Sequence, residues 1–150
     1  RPWVLDPVFV NVSPTRKAAA LRLLTQGPTV LKTNRSEAFL ATQAPKITTC
    51  TITGATDEVI GHGQHLTIAN GHARAGEVTA MGCALGAVIA MFLAVEKDAV
   101  LATTTALVVY GIAAEDAAAR STGPGSFSIA IYDSLAALSA ETLLRKAKIA

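Results

Sequence analysis

A chain of 150 residues has room for one well-buried core and too little for two independent ones, and 51% hydrophobic against 16% charged residues excludes a disordered polymer. Thirteen basic and eleven acidic residues leave a net charge of +2, with the basic side chains scattered rather than aligned with aromatics, which argues against a nucleic-acid surface. Cys50 and Cys83 stand far apart in unlike contexts, so neither a disulfide framework nor a Cys-x-x-Cys metal site is expected, and the composition reads as a reduced, cytoplasmic protein.

Arg1 to Asp6 carries no apolar signal-peptide core, so no leader is expected. Val4-Leu5-Asp6-Pro7-Val8 reads as a short buried strand ending in an acidic residue. Ser13 then caps a helix that has Pro14 in its first turn and runs to about Thr25, where Gln26-Gly27-Pro28 stops it. Thr29 to Lys32 suits a second buried strand, and strand, helix and strand in about thirty residues imply parallel pairing with a right-handed crossover. Asn34-Arg35-Ser36-Glu37 is expected to open another helix, which Pro45 ends early.

Ile47 to Thr53 reads as a third strand, and Glu58 to Ala69 as an antiparallel hairpin turning at Gly61-His62-Gly63. After a turn at Asn70-Gly71-His72, helices are expected from about Gly82 to Val95 and from about Ala99 to Arg120. The apolar runs Val78 to Val95 and Ala99 to Ala114 approach membrane length, but they are rich in Ala, Gly and Thr and lack a basic flank, which suits helices buried on a sheet better than a membrane hairpin. A loop from Ser121 to Ser126 and a closing helix near Tyr132 to Leu138 complete an α/β pattern with no internal repeat.

Gly82 and Cys83 sit where extended chain enters the most apolar helix, a place where unpaired backbone N–H groups and the positive helix end favour an anion. The same end favours the thiolate of Cys83 as a base or nucleophile, although a lone Cys among Ala and Gly also reads as a small core residue. Lys32 and Glu37 stand near the carboxyl end of a buried strand, where open α/β sheets bind ligands; a Lys there neutralises phosphate and a carboxylate holds Mg²⁺ through water, or both are surface charges. His62, His65 and His72 lie in turns and read as solvated, without the further ligands that zinc requires.

Asp6-Pro7-Val8, Asn34-x-x-Glu37, Thr53-Gly54-x-x-Asp57, Asn70-Gly71-His72, Thr79-x-x-Gly82-Cys83-Ala84-Leu85 and Gly123-Pro124-Gly125-Ser126-Phe127 occur in an order that resembles hydroxyethylthiazole kinase, a thiamine-salvage member of the ribokinase-like superfamily. The resemblance runs from residue 3 to about 138 and covers the C-terminal half, or a little more, of that family. It implies a ribokinase-like three-layer αβα fold, a mostly parallel sheet with a small β-hairpin, incomplete at its N-terminal side and formed by residues 1–150 as one domain.

The resemblance also implies ATP as co-substrate, Mg²⁺, hydroxyethylthiazole as acceptor and a homotrimer. Under it Cys83 is the catalytic residue that helps deprotonate the acceptor hydroxyl, Ala80 and Gly82 belong to the anion hole, Thr53 and Lys32 contact ATP, and Glu37 organises Mg²⁺. The chain departs from the family in having Lys32 where an arginine is usual, and Ala80-Met81 where a glycine and a small residue are usual. It also has a short segment between Glu37 and Ile47. Two further readings are a kinase for another small alcohol or vitamin, with the acceptor pocket reshaped by Ala80-Met81, and a non-catalytic assembly piece with an exposed apolar edge.

Overall fold

The structure, a computed structural model, describes residues 1–43 and 47–150. Five strands form one sheet in chain order: β1 (Val4–Leu5), β2 (Val30–Asn34), β3 (Thr49–Thr53), β4 (Asp57–Gly61) and β5 (Gln64–Ile68). β1, β2 and β3 pair in parallel, β4 turns back against β3, and β5 against β4, so four of the five strands run the same way. His62 and Gly63 both take positive φ in the hairpin turn, the backbone that a two-residue connection between twisted strands requires.

The parallel register places Val30, Lys32 and Asn34 beside Thr49, Thr51 and Thr53 on one face. Over the apolar part of that face lie α2 (Met81–Leu93) and α3 (Ala99–Arg120), with α4 (Pro124–Ala137) packed on α3, in a core that includes Val30, Val59, Ile68, Ile89, Leu107, Ile112 and Phe127. The opposite face presents Leu5, Leu31 and Cys50 to α1 (Pro14–Leu24) and to a 3₁₀ helix at Ala38–Gln43, where Ala20, Leu24 and Leu40 close a second, smaller core. Three layers follow from strands that are covered on both faces.

α1 starts as its sequence dictates: the Ser13 hydroxyl accepts the Arg16 N–H, and Pro14 occupies the first turn. α3 is long and apolar enough to cross a membrane, but its sides are used by the sheet, α2 and α4, and most of its residues are buried. The last three residues run along the outer edge of β5: Thr67 donates to the Ala150 carbonyl at 2.7 Å, Ala150 donates back at 3.0 Å, and Ala69 donates to the Lys148 carbonyl at 2.9 Å. This pairing covers an otherwise open strand edge.

Several expected boundaries move. β1 stops at Leu5, ahead of Asp6-Pro7, and β3 begins at Thr49 rather than Ile47. Asn34 ends β2, and no α-helix grows from Asn34–Glu37: the Asn34 side chain accepts the N–H groups of Ser36 and Glu37, which winds the segment into a turn and then the 3₁₀ helix. Pro45, expected to end a helix there, lies outside the described residues. The closing helix begins at Pro124 rather than near Tyr132, because Ser126 accepts the N–H groups of Thr122 and Gly123 and caps it early. Two elements add to the expected pattern, a 3₁₀ helix at Ala73–Glu77 and α5 (Ala140–Lys146), capped by Ser139.

Candidate functional site

The parallel strands end at Asn34 and Thr53, and beyond Thr53 and Ile68 the chain surrounds a cleft of about 670 Å³. Thr53, Gly54 and Asp57 form one wall, Asn70-Gly71-His72 a second, Met81, Gly82 and Leu85 of α2 a third, and Tyr110, Gly111 and Ala114 of α3 the fourth. The position at the carboxyl ends of strands and the size both suit a small-molecule site.

α2 points its first turn into this space. Ala80, its N-cap, takes φ 70° and offers no side-chain cap. The first intrahelical bond is Ala84 N–H to the Ala80 carbonyl at 2.9 Å, and among the described residues the N–H groups of Met81, Gly82 and Cys83 have no protein acceptor. Three free donors at the positive end of a thirteen-residue helix make an anion-binding cradle. Tyr110 braces it from α3 by donating its hydroxyl to the Met81 carbonyl at 2.9 Å, and burial pushes that phenol up to about 12.

A buried cation lies against the same turn. The Lys32 ammonium is 3.8 Å from where a Cβ on Gly82 would stand, and 2.9 Å from Asp6 Oδ1. One turn along α2, a Cβ on Gly86 would come within 3.0 Å of Asp6 Oδ2. Gly82 and Gly86 thus form a bare stripe over which the Asp6–Lys32 pair packs against the helix. The Thr51 hydroxyl, in register with Lys32 on the same face, is buried without a protein partner. Across the cleft, Asp57 Oδ1 accepts the Gly54 N–H at 2.9 Å; burial raises its carboxyl above the usual range, opposed by that N–H and by the charge of Lys32.

The sequence-derived residues separate into two groups. Gly82 and Thr53 line the cleft, with Thr53 donating its hydroxyl to the Thr33 carbonyl at 3.2 Å; Ala80 sets the helix entry; and Cys83, exposed, follows Gly82 in the same turn. Lys32 is deeper than its expected place at a strand end: it sits in the middle of β2, 5% exposed, and reaches the cradle from beneath. Glu37 does not line the cleft. Its Oε1 accepts the Phe9 N–H at 2.8 Å and its Oε2 the Asn34 N–H at 3.4 Å, tying the loop after β1 to the turn after β2. His62, His65 and His72 are exposed, with His65 bonded to Glu58 and His72 capping the 3₁₀ helix through the Arg74 N–H. Asp6, Asp57 and Tyr110 join the site only in the folded structure. Asp6 and Asp57 fall inside the Asp-Pro-Val and Thr-Gly-x-x-Asp motifs, whereas Tyr110 carries no local signal.

Known proteins resemble the chain in both sequence and fold. A model of the hydroxyethylthiazole kinase family matches residues 38–141. A probable hydroxyethylthiazole kinase of Agrobacterium fabrum is 42% identical over 149 residues, 99% of this chain and 60% of that protein. A hydroxyethylthiazole kinase of Cereibacter sphaeroides is 36% identical, with 99% of this chain and 66% of that protein covered. The solved structure of a hydroxyethylthiazole kinase protein from Pyrococcus horikoshii OT3 superposes with a TM-score of 0.87 at 35% identity, over 99% of this chain and 65% of that one. The chain therefore spans about two thirds or less of the length of these relatives.

Proposed function

Because the chain belongs to the hydroxyethylthiazole kinase family, we propose that it is the part of a ribokinase-like kinase domain that carries phosphoryl transfer from ATP to the hydroxyl of 4-methyl-5-(2-hydroxyethyl)thiazole. The observation that carries this reading is the cradle of free N–H groups at Met81–Cys83 with the Lys32 ammonium beside it, at the mouth of a cleft of nucleotide size. Phosphoryl transfer asks a protein mainly for placement and for donors aimed at developing charge.

In this reading Cys83 Sγ takes the proton of the acceptor hydroxyl, whose oxygen attacks the γ-phosphorus while the bond to the bridging oxygen of ADP breaks. The N–H groups around Gly82 hold the transferring phosphoryl oxygens, and the left-handed turn at Ala80 aims them. Lys32 supplies charge from below, less than a free ammonium because Asp6 shares it. Thr53, at the end of β3, contacts the nucleotide.

Mg²⁺ supplies further neutralisation of the phosphates when bound. Among the described residues no three His, Cys, Asp or Glu side chains converge on a metal position, which fits an ion held mainly by phosphates and water. Glu37, buried outside the cleft with both oxygens accepting N–H groups, would act on such an ion only indirectly, by holding the loop after β1 against the turn after β2. We infer also a cytoplasmic protein, consistent with two free thiols, and a homo-oligomer, a trimer by family resemblance. The exposed Met91 of α2 and Val95 just past its end favour a covered surface.

The test is ADP release by the intact protein with hydroxyethylthiazole, pyridoxal or hydroxymethylpyrimidine as acceptor. Hydroxyethylthiazole is expected to give the highest kcat/KM, and Cys83→Ala to lower kcat by about 10²- to 10⁴-fold with ATP affinity unchanged. An unchanged rate in Cys83→Ala removes that residue from the chemistry, and no phosphorylation of any of the three removes the kinase reading.

A further inference from the structure

The cleft wall is held at His72 by its neighbours Arg74 and Ala75, but at Asn70 and Gly71 by residues far away in sequence. Asn70, 4% exposed, donates its side-chain amide to Glu115 Oε1 at 3.2 Å and to the Lys146 carbonyl at 3.0 Å, and its Oδ1 accepts the Lys148 N–H at 2.8 Å. The Gly71 N–H donates to the same Glu115 oxygen at 3.0 Å, and the Lys148 ammonium completes that oxygen's partners at 3.0 Å. The last residues of the chain are paired along β5 as far as Ala150, so they run directly under this knot. Burial alone would raise the Glu115 carboxyl, but Lys148, Gly71 and Asn70 outweigh it and hold the group below its ordinary value.

We infer that the segment Lys148–Ala150 acts as a strap that, through Asn70 and Glu115 as positioning residues, sets the cleft wall and thereby the affinity for nucleotide. Gly71 has positive φ and a backbone that a side chain does not restrain, so its place depends on the Glu115 oxygen. Glu115 in turn is fixed by Lys148, and Asn70 by the Lys148 N–H. Removing the strap loosens one wall of the cleft, leaving Asn70 only its bonds to Glu115 and the Lys146 carbonyl, and leaves the cradle at Met81–Cys83, which Tyr110 braces from α3, in place. The inference therefore separates binding from chemistry: nucleotide affinity falls, and turnover at saturating nucleotide does not.

The part of this inference that concerns nucleotide rests on the kinase reading, and the experiment has one arm that does not. In the intact protein, deletion of Lys148–Ala150 is expected to increase hydrogen exchange at Gly71 to Ala75 without any ligand, and Lys148→Ala to do so to a smaller degree, with Lys148→Arg close to the parent. In the second arm, the Kd of a fluorescent N-methylanthraniloyl-ATP and the KM for ATP are expected to rise by about five- to tenfold in the deletion, the loss of one to two hydrogen bonds' worth of ordering, with kcat within twofold of the parent. Unchanged exchange at Gly71 overturns the strap, as does faster exchange with Kd and KM unmoved, and a fall in kcat at unchanged KM overturns its confinement to binding. If the parent binds no nucleotide, the kinase reading fails, and the exchange arm by itself decides whether the strap positions the wall.

Discussion

Gly111→Ala tests whether the cleft wall really rests on α3. Ala is ordinarily the better residue inside a helix, by about 1 kcal/mol, so without a tertiary obstacle the variant would be more stable than the parent. Here the new Cβ would lie 2.7 Å from three atoms of Asn70, its backbone C and O and its own Cβ. Carbon contacts are comfortable at about 3.5–4.0 Å, so the Asn70 backbone must retreat by about 1 Å. That backbone cannot retreat freely, because its side chain is bonded to Glu115 and to the main chain at Lys146 and Lys148. Overpacking of this kind costs about 1–3 kcal/mol, and weakening one of the Asn70 bonds about 1 kcal/mol more. Against the helix gain, a net loss of about 1–3 kcal/mol remains, which for a chain of this size lowers Tm by about 3–9 °C. Thermal melting followed by circular dichroism reads the change directly. A variant as stable as the parent, or more so, would refute the close approach of Asn70 to α3 and with it the account of the cleft wall.

Ala80→Gly is expected to stabilise the protein by about 1 kcal/mol, because φ 70° costs an L-residue about that much and glycine nothing, measured by guanidinium denaturation. Ellman's reagent is expected to titrate one thiol in the native protein, Cys83, and two after denaturation; labelling of Cys50 at a comparable rate contradicts its burial on β3. Burial pushes the Cys50 thiol up to about 11, more than its bond with Thr33 lowers it, so the folded state keeps a proton that the unfolded chain releases from about pH 9. Stability carried by that proton is present below pH 9 and is lost as pH rises toward 11. Parent and Cys50→Ala denaturation midpoints are expected to converge across that window, a change of about 1–3 kcal/mol, and parallel profiles contradict it.

Local chemistry accounts for the parts that were legible beforehand. Ser13-Pro14 starts α1 and His62-Gly63 turns the hairpin, each through atoms within a few residues of one another. Apolar runs on both sides of each turn then require a sheet covered on two faces, and the glycine preceding Cys83 marks the helix entry that forms the cradle. Tertiary packing decided the rest, because the partners lie far apart along the chain. Lys32 became a buried half of an ion pair when Asp6, twenty-six residues earlier, was brought over the bare stripe of α2. Glu37 was drawn to the Phe9 N–H instead of the cleft, Tyr110 reached Met81 across two helices, and the cleft wall at Asn70 was joined to the chain's last residues, seventy-eight positions away at Lys148. Periodicity and capping report a residue's immediate neighbours, whereas these contacts exist only after the layers have closed and fixed which polar groups share one low-dielectric space.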